Sequence, residues 1–298
     1  MKSYTTLRNL AGSLAKDTRT ATLTLLDQFI NDGYRIECGA RDWPFLYKTD
    51  ATMVTTASTQ FKEMPNNVGR LHGVTVANGS NIITPKEAPS EDFWNELNFT
   101  TYTSDYPEYY FVRGKQLGLW PTPATSSNTI TLYFKQLVKD LSIADVTSST
   151  VTSISNGGTA MVINAGGAVS WAGRYIRITE SDTANKGDGF WYEISAATAT
   201  TITLVKAYQG TTIATGAAAC IVGQMPLLPE AYHELPVWYA LGEYWDLEGE
   251  LARASQYRNK HDVLMKQMVA EHGSRTSNLV IDDGYRDHLA DPNLFWSI

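Results

Sequence analysis

Acidic side chains beside aromatic rings are the residues of this chain whose types could carry out bond-breaking chemistry. Two clusters contain them: Glu91 and Asp92 near Trp94, and Glu243, Asp246, Glu248 and Glu250 near Trp245. Two carboxylates next to a sugar-stacking ring would suit a glycoside hydrolase. Acids at helix ends also interact favourably with the helix dipole. Because carboxylate pairs arise by chance in a chain of this length, we favour the second interpretation and predict no enzyme activity.

Histidine and nucleophile patterns point the same way. The five histidines do not pair at metal-ligand spacing; they are His72, His233, His261, His272 and His288. The sequence has no GxSxG, GxxxxGK[ST], HExxH or GxGxxG motif. We therefore predict satisfied or solvent-facing histidines, no metal and no cofactor.

Composition and charge favour a globular protein that does not hold nucleic acid tightly. The 298 residues are 43% hydrophobic and 18% charged, and the formal net charge is −7. This sign disfavours binding by phosphate neutralisation, although it suits a surface past which DNA slides. Cys38 and Cys220 are predicted to be separate buried thiols. We expect no secretory signal and no membrane span, hence a cytosol-like compartment.

The elements that must position these residues fall into three stretches. Apolar residues at steps of three and four predict helices over residues 5–40, and again from Pro226 to Gly273. Short strands with a period of two run from Thr52 to Lys135, with a helical turn capped by Ser90. Asp17 or Thr18 is the expected cap of the second helix. Asn31-Asp32-Gly33 is expected to loosen that helix, and Pro236 to bend the first C-terminal one.

A shift in composition marks residues 142–224, which are rich in Thr, Ser, Ala and Gly. Six strand signals in this segment fit a small all-β domain, either a barrel or a sandwich. Its Trp171, Trp191 and Tyr192 could stack on sugars, but aromatic residues more often fill the middle of such a domain, so we favour a core role. The domains predicted are therefore 1–141 with 225–298, and 142–224 as an insertion.

The order of several degenerate motifs is similar to that of the head-to-tail adaptor proteins of tailed bacteriophages, also called tail tubular or tail accessory proteins. The motifs are RDWPFL, GRLHGVTV, YPEYYFVRGKQLGLWPTP, TITLYFK and PLLPEAYHELPVWYALGEYW. The hairpin pattern is matched at Pro107, Tyr110, Gly114, Leu119, Trp120, Pro121 and Pro123, and the start of the C-terminal helices at Pro229, Glu230 and Tyr232. The resemblance covers residues 1–141 and 225–298.

This resemblance implies an α+β fold in which helical hairpin elements from both termini pack with a small antiparallel sheet. It also implies a virion protein, assembled in the host cytoplasm, that forms a homo-oligomeric ring of commonly twelve copies in the neck. Its partners would be the portal, a downstream tail or nozzle protein and other copies, while DNA passes through without specific binding during ejection. The predicted portal-binding residues are Tyr285, Leu294, Phe295, Trp296 and Ile298. The predicted ring-packing residues are Leu235, Trp238, Leu241, Trp245, Leu251, Tyr257, Leu264 and Met268.

Two further hypotheses stay open. Residues 142–224 could bind carbohydrate or a tail fibre, which would make the chain a tail- or fibre-attachment protein. The aromatic C-terminal segment either anchors in a partner's groove or folds back on its own core.

Overall fold

The computed structural model describes residues 1–99, 102–164, 168–179, 187–214 and 218–273. Within them the chain divides into two compact units, Met1–Arg41 with Asp140–Gly273, and Asp42–Lys139. The helices are α1 (Tyr4–Ala15), α2 (Thr20–Gly39), α3 (Glu91–Leu97), α4 (Leu235–Leu247) and α5 (Leu251–His272). Together with the strands given below, they confirm that the protein has both helical and β structure.

The two N-terminal helices begin with local hydrogen bonds from polar side chains. The Ser3 hydroxyl accepts a hydrogen bond from the Thr6 amide and caps α1. The expected cap of α2 is wrong by one or two positions, because Arg19 is its N-cap residue. Asp17 still stabilises this helix start, since its carboxylate accepts hydrogen bonds from the Arg19 amide at 2.9 Å and the Thr22 hydroxyl at 2.7 Å.

The predicted loosening of α2 at Asn31-Asp32-Gly33 is wrong, because the helix continues to Gly39. Tertiary contacts explain these residues. The Asn31 side chain exchanges hydrogen bonds with the backbone of Leu141, at 2.7 and 3.0 Å. A Cβ atom added to Gly33 would lie 2.7 Å from the Tyr239 ring of α4, so glycine permits the two helices to approach closely. Packing between helices outweighs the weak helix propensity of this tripeptide.

The second unit contains two four-stranded sheets where one sheet was predicted. Their strands are β1 (Tyr47–Val54), β2 (Phe61–Glu63), β3 (Val68–Asn78), β4 (Asn81–Ile83), β5 (Lys86–Glu87), β6 (Tyr109–Arg113), β7 (Gln116–Trp120) and β8 (Thr129–Gln136). The strand orders are β1-β8-β3-β4 and β2-β7-β6-β5, and β5 pairs with β6 in parallel. Both sheets contribute to one buried cluster, with Val76 and Leu132 from the first and Leu117 from the second.

The predicted hairpin is confirmed as β6 and β7. Tyr109 lies opposite Trp120, and Gly114 takes a positive φ of 60° in the turn, which glycine adopts without steric cost. Helix α3, capped by Ser90 as predicted, packs beside this hairpin. Its Trp94 ring stacks on Phe111 with the ring centroids 5.5 Å apart.

The six strand signals of residues 142–224 form a closed barrel, which decides between the two predicted architectures. The strands are β9 (Thr150–Ser153), β10 (Ala160–Asn164), β11 (Tyr175–Ile178), β12 (Tyr192–Ala197), β13 (Thr201–Leu204) and β14 (Ala218–Gly223). Around the barrel their order is β10-β13-β12-β11-β14-β9. Apolar residues from every strand fill its interior, with Trp171, Tyr192 and Tyr208 among them.

The two ends of the barrel segment lie side by side. The amides of Ser142 and Ile143 donate to the side-chain oxygen of Gln224, at 2.9 and 3.0 Å. The Gln224 amide group donates to the Asp140 carbonyl at 2.7 Å. Adjacent ends are what an inserted domain requires. The barrel shares its compact unit with the helices, and the domain boundaries at 142 and 224 stay a prediction.

Candidate functional site

Helices α4 and α5 form an antiparallel hairpin that needs glycine at two positions, one in the turn and one within α4. Gly249 has a φ of 79° in the turn between the helices. A Cβ atom on Gly242 would lie 2.9 Å from the Arg258 side chain, so a larger residue there would push α5 away. Arg258 in turn donates to Glu243 at 2.9 Å and to Asp246 at 2.7 Å, tying α5 to α4. These contacts fix the geometry of the hairpin.

The two helices differ sharply in burial. Most of α4 is covered by the rest of its unit, including Leu235, Leu241 and Trp245. In the 22 residues of α5, the buried side chains are those of Ala254 and Met268. Apolar side chains remain exposed, with Leu251 at 67% and Val263 at 53%. A helix with so little buried surface gains little stability from its own chain.

One face of the hairpin combines apolar rings with a cation, and we call Trp238, Tyr257, Lys260, Val263 and Leu264 the hairpin face. The Trp238 and Tyr257 rings stack with centroids 6.0 Å apart and planes 10° apart. The Lys260 ammonium lies 4.9 Å from the first ring centroid and 5.3 Å from the second. Val263 and Leu264 extend this surface into a shallow groove of about 430 Å³. Such a face can bury against an apolar, acidic surface.

Charge also distinguishes α5 from the rest of the chain. The helix carries four basic residues, Arg253, Arg258, Lys260 and Lys266, and two acidic ones, Asp262 and Glu271. The chain as a whole has a net charge of −7. The exposed helix therefore carries a net positive charge on an acidic protein.

Beneath the exposed side of α5, a buried acid anchors the helix to α2. The Glu37 side chain is fully buried, and its carboxylate lies 3.3 Å from Nε2 of His261 on α5. Burial raises the pKa of Glu37 to about 7, although the hydrogen bond and the charge of His261 oppose that shift. Burial lowers the pKa of His261, but Glu37 and Asp262 outweigh it and leave the pKa raised. The pair is a buried ionisable contact between α2 and α5.

The predicted ring-packing residues separate into two groups. Leu235, Leu241, Trp245 and Met268 are buried within one chain. Trp238, Tyr257 and Leu264 are half-buried and Leu251 is exposed, so these four are accessible to another molecule. The predicted portal-binding residues, Tyr285, Leu294, Phe295, Trp296 and Ile298, lie outside the described residues.

Three acids of the two clusters, Glu91, Glu243 and Asp246, pair with arginine side chains within the fold. Glu91 pairs with Arg113 at 2.9 Å and lies in the first turn of α3. Its neighbour Trp94 is 1% exposed, so this ring cannot stack on a sugar. Glu243 and Asp246 share Arg258, as described above.

A described histidine outside the barrel, and the aromatic residues of the barrel, can be compared with the predictions made for them. His233 is buried: Nδ1 lies 3.1 Å from the Lys2 amide and Nε2 lies 3.0 Å from the Leu228 carbonyl, so it is a satisfied core histidine. Burial lowers the pKa of His233.

Of the aromatic residues predicted to lie in the barrel core, Trp171 and Tyr192 are in that core, whereas Trp191 is half-buried.

Among the described residues, no cluster of three His, Cys, Asp or Glu side chains is arranged to hold a metal ion. None of the described helices has the length and hydropathy to cross a bilayer.

Sequence reasoning missed the Glu37–His261 pair and the position of Lys260 over two rings. A signal for Glu37 existed: it continues the apolar stripe of Leu26, Ile30 and Gly33 at helical spacing. A charged residue on a buried stripe predicts a partner there. Nothing in the sequence identified that partner, because His261 is more than 200 residues away.

The described residues combine a closed barrel with a helical hairpin whose exposed face is apolar and cationic. Such a face suits a protein that contacts other macromolecules. Residues 2–157 match the family model described as SU10 adaptor protein. That match spans more than half of the chain, and the chain belongs to this family of structural phage adaptor proteins. The family is not an enzyme family. A comparison with curated proteins finds no match.

Proposed function

We propose that this adaptor protein forms the head-to-tail ring beneath the portal, links the capsid to the tail and lines the DNA exit channel. The observation that carries the proposal is the hairpin face, which a single chain leaves open to solvent although it is largely apolar. Family membership supplies the context of a phage particle, with head or tail components as partners. The neck of the virion is the place where such a ring would sit.

The occupant of the hairpin face is, on this proposal, a neighbouring copy. Fully burying an aliphatic side chain stabilises a contact by about 1.5–3 kcal/mol. Leu251 and Val263 are more than half exposed, so each has about 1 kcal/mol or more to gain from a partner. A ring requires two different complementary surfaces on every copy. The cationic α5 and the acidic remainder of the chain supply that complementarity.

The acidic charge of the chain also suits a DNA conduit. Each contact between a cation and a phosphate strengthens nucleic-acid binding and would slow passage. With a net charge of −7, a ring of such chains would carry a strongly negative potential overall. DNA would then pass without specific binding. A copy number of twelve, a downstream tail or nozzle protein and assembly in the host cytoplasm belong to the same proposal.

Two aspartate substitutions on α5 test the proposed contact. Leu251→Asp places an acid at the first residue of α5, where it favours the helix dipole, so the chain should still fold. Val263→Asp places a charge in the hairpin face itself. Both variants should weaken ring formation on the cognate portal by at least about tenfold, seen by mass photometry and negative-stain imaging.

The matched control is Val169→Asp, which alters an exposed apolar residue of the barrel, 64% accessible. It should assemble as the unmodified protein does. Normal rings from the Val263→Asp variant would refute the role of the hairpin face, and normal rings from the Leu251→Asp variant would show that the exposed start of α5 makes no contact in the ring. Rings that form at a site other than the portal would refute the head-to-tail assignment.

A further inference from the structure

A second surface, on the wall of the barrel, has the composition of a small-ligand site. Tyr175, Phe190 and Trp191 contribute aromatic rings to a cleft of about 560 Å³. Phe190 is 68% exposed, and Val205 beside it is 52% exposed. The cleft volume falls within the range of about 300–1,000 Å³ that small-ligand sites occupy. Exposed apolar rings gathered in a concave site require an explanation beyond the barrel's own packing.

The aromatic wall is held by hydrogen bonds to the barrel. Tyr192 is rooted in the barrel core, and its ring lies 5.5 Å from that of Tyr208. The Tyr192 hydroxyl donates to the Asp188 carboxylate and accepts a hydrogen bond from the Gln209 backbone amide at 3.0 Å. Asp188 also accepts from the Phe190 amide at 3.1 Å. The backbone that carries Phe190 is therefore fixed, which reduces the entropic cost of binding.

The polar groups of the cleft restrict the class of ligand that it can bind. Glu193 lies opposite Tyr175 across the strand pair and is hydrogen-bonded to its hydroxyl. Lys206 and Gln209 complete the polar lining. Met1 also lines the cleft, but its ammonium pairs with Glu230, so Glu193 and Lys206 leave no excess of charge and a phosphate or a polyanion is not favoured. A peptide cannot add as a strand here, because the barrel is closed and has no free edge at the cleft.

We infer that this cleft binds a short neutral oligosaccharide. The apolar C–H face of a sugar ring stacks on an aromatic ring, and its hydroxyl groups both donate and accept hydrogen bonds. The exposed Phe190 ring and the half-buried Trp191 ring supply the stacking surface, and the Glu193 carboxylate and the Gln209 side-chain amide supply the hydrogen bonds. The inference goes beyond the adaptor role, since it gives the barrel a recognition site of its own.

Titration of the full-length protein with maltotriose, cellotriose and chitotriose tests this inference. Binding is followed by tryptophan fluorescence, for which Trp191 is the local reporter, and by saturation-transfer NMR. We expect at least one trisaccharide to bind with a dissociation constant of about 1 mM or tighter. Phe190→Ala should weaken that binding by about tenfold, because it removes an exposed stacking ring without altering the core.

Val169→Ala is the matched control, since it removes an exposed apolar side chain elsewhere on the barrel. It should bind the sugar as the unmodified protein does. No binding of any of the three sugars, or equal binding by the Phe190→Ala variant, would overturn the inference. Ring assembly on the portal, measured with the same Phe190→Ala protein, should be normal, so failure here is separable from failure of the adaptor proposal.

Discussion

Replacing Glu37 with glutamine should remove a pH dependence that the fold builds into the junction of α2 and α5. The carboxylate is fully buried and lies 3.3 Å from His261, with Tyr34 of α2 and Tyr239 of α4 nearby. Glutamine keeps the shape of the side chain but carries no charge at any pH. The substitution therefore keeps the packing of the side chain but removes the proton-binding contribution of the acid, together with the part of the His261 shift that Glu37 causes.

The sign and size of the effect follow from the pKa of Glu37. Burial raises it from 4.5 to about 7, so the folded chain holds a proton that the unfolded chain has released. The stabilisation that comes from Glu37 is then fully present below pH 4.5 and is lost as the pH rises from 4.5 to about 7. A shift of this size corresponds to about 3 kcal/mol, since each pH unit is worth about 1.4 kcal/mol. The raised pKa of His261 acts in the same direction, because its stabilising proton is lost as pH rises.

Urea unfolding at pH 5, 6, 7 and 8, followed by tryptophan fluorescence, measures this effect. Relative to the Glu37→Gln variant, the free energy of unfolding of the unmodified protein should fall by about 2–3 kcal/mol between pH 5 and pH 8, because part of the loss occurs below pH 5. His233 contributes the opposite slope, because burial lowers its pKa and its protonation at low pH destabilises the fold. That contribution is common to both proteins and cancels in the difference. A difference that does not change with pH, or that changes in the opposite direction, would refute this reasoning.

Three further predictions concern packing, thiol chemistry and the C-terminal segment. Gly33→Ala should lower the free energy of unfolding by about 1–3 kcal/mol, because its Cβ atom would press on an aromatic ring of α4. Gly39→Ala, at the open end of the same helix, should change it by less than about 1 kcal/mol; equal urea midpoints would contradict the packing argument. Cys38 and Cys220 are buried, and burial raises the pKa of Cys220 to about 12, so neither thiol should react with a disulfide reagent until the chain unfolds. Rapid labelling of the native protein would show that the core opens. Deleting residues 285–298 should abolish capture by the portal in a pull-down, and undiminished capture would end the anchor hypothesis.

Local patterns were sufficient wherever one short segment carried its own signal. Two of the six strand signals in residues 142–224 correspond to β11 and β12, and the hairpin pattern that includes Gly114 corresponds to β6 and β7. Ser90 was a correct cap because a cap is defined by the few residues that follow it. The two cysteines were predicted correctly as separate buried thiols.

Predictions failed where a distant residue determines the local conformation. Asn31 and Gly33 read as helix-weakening residues, yet each makes a contact that α2 needs in order to meet Leu141 or Tyr239. The period of two from Thr52 to Lys135 did not show that β1 ends at Val54 and that β2 begins only at Phe61. In that interval the Thr55 amide donates a hydrogen bond to the carbonyl of Asn128, which lies far along the chain. Propensity cannot anticipate either contact, because both partners are brought together by folding.

The helices, most strands, the acidic charge and the family resemblance could be predicted from the sequence, because each depends on residues near one another or on totals. The tertiary structure alone decided which apolar residues are available to partners. Met268 and Val263 lie on the same helix, but the first is buried and the second is open, since the orientation of α5 against α4 and α2 sets which side meets solvent. The pairing of Glu37 with His261 has the same origin, because a proton can be shared only between groups that folding places in contact.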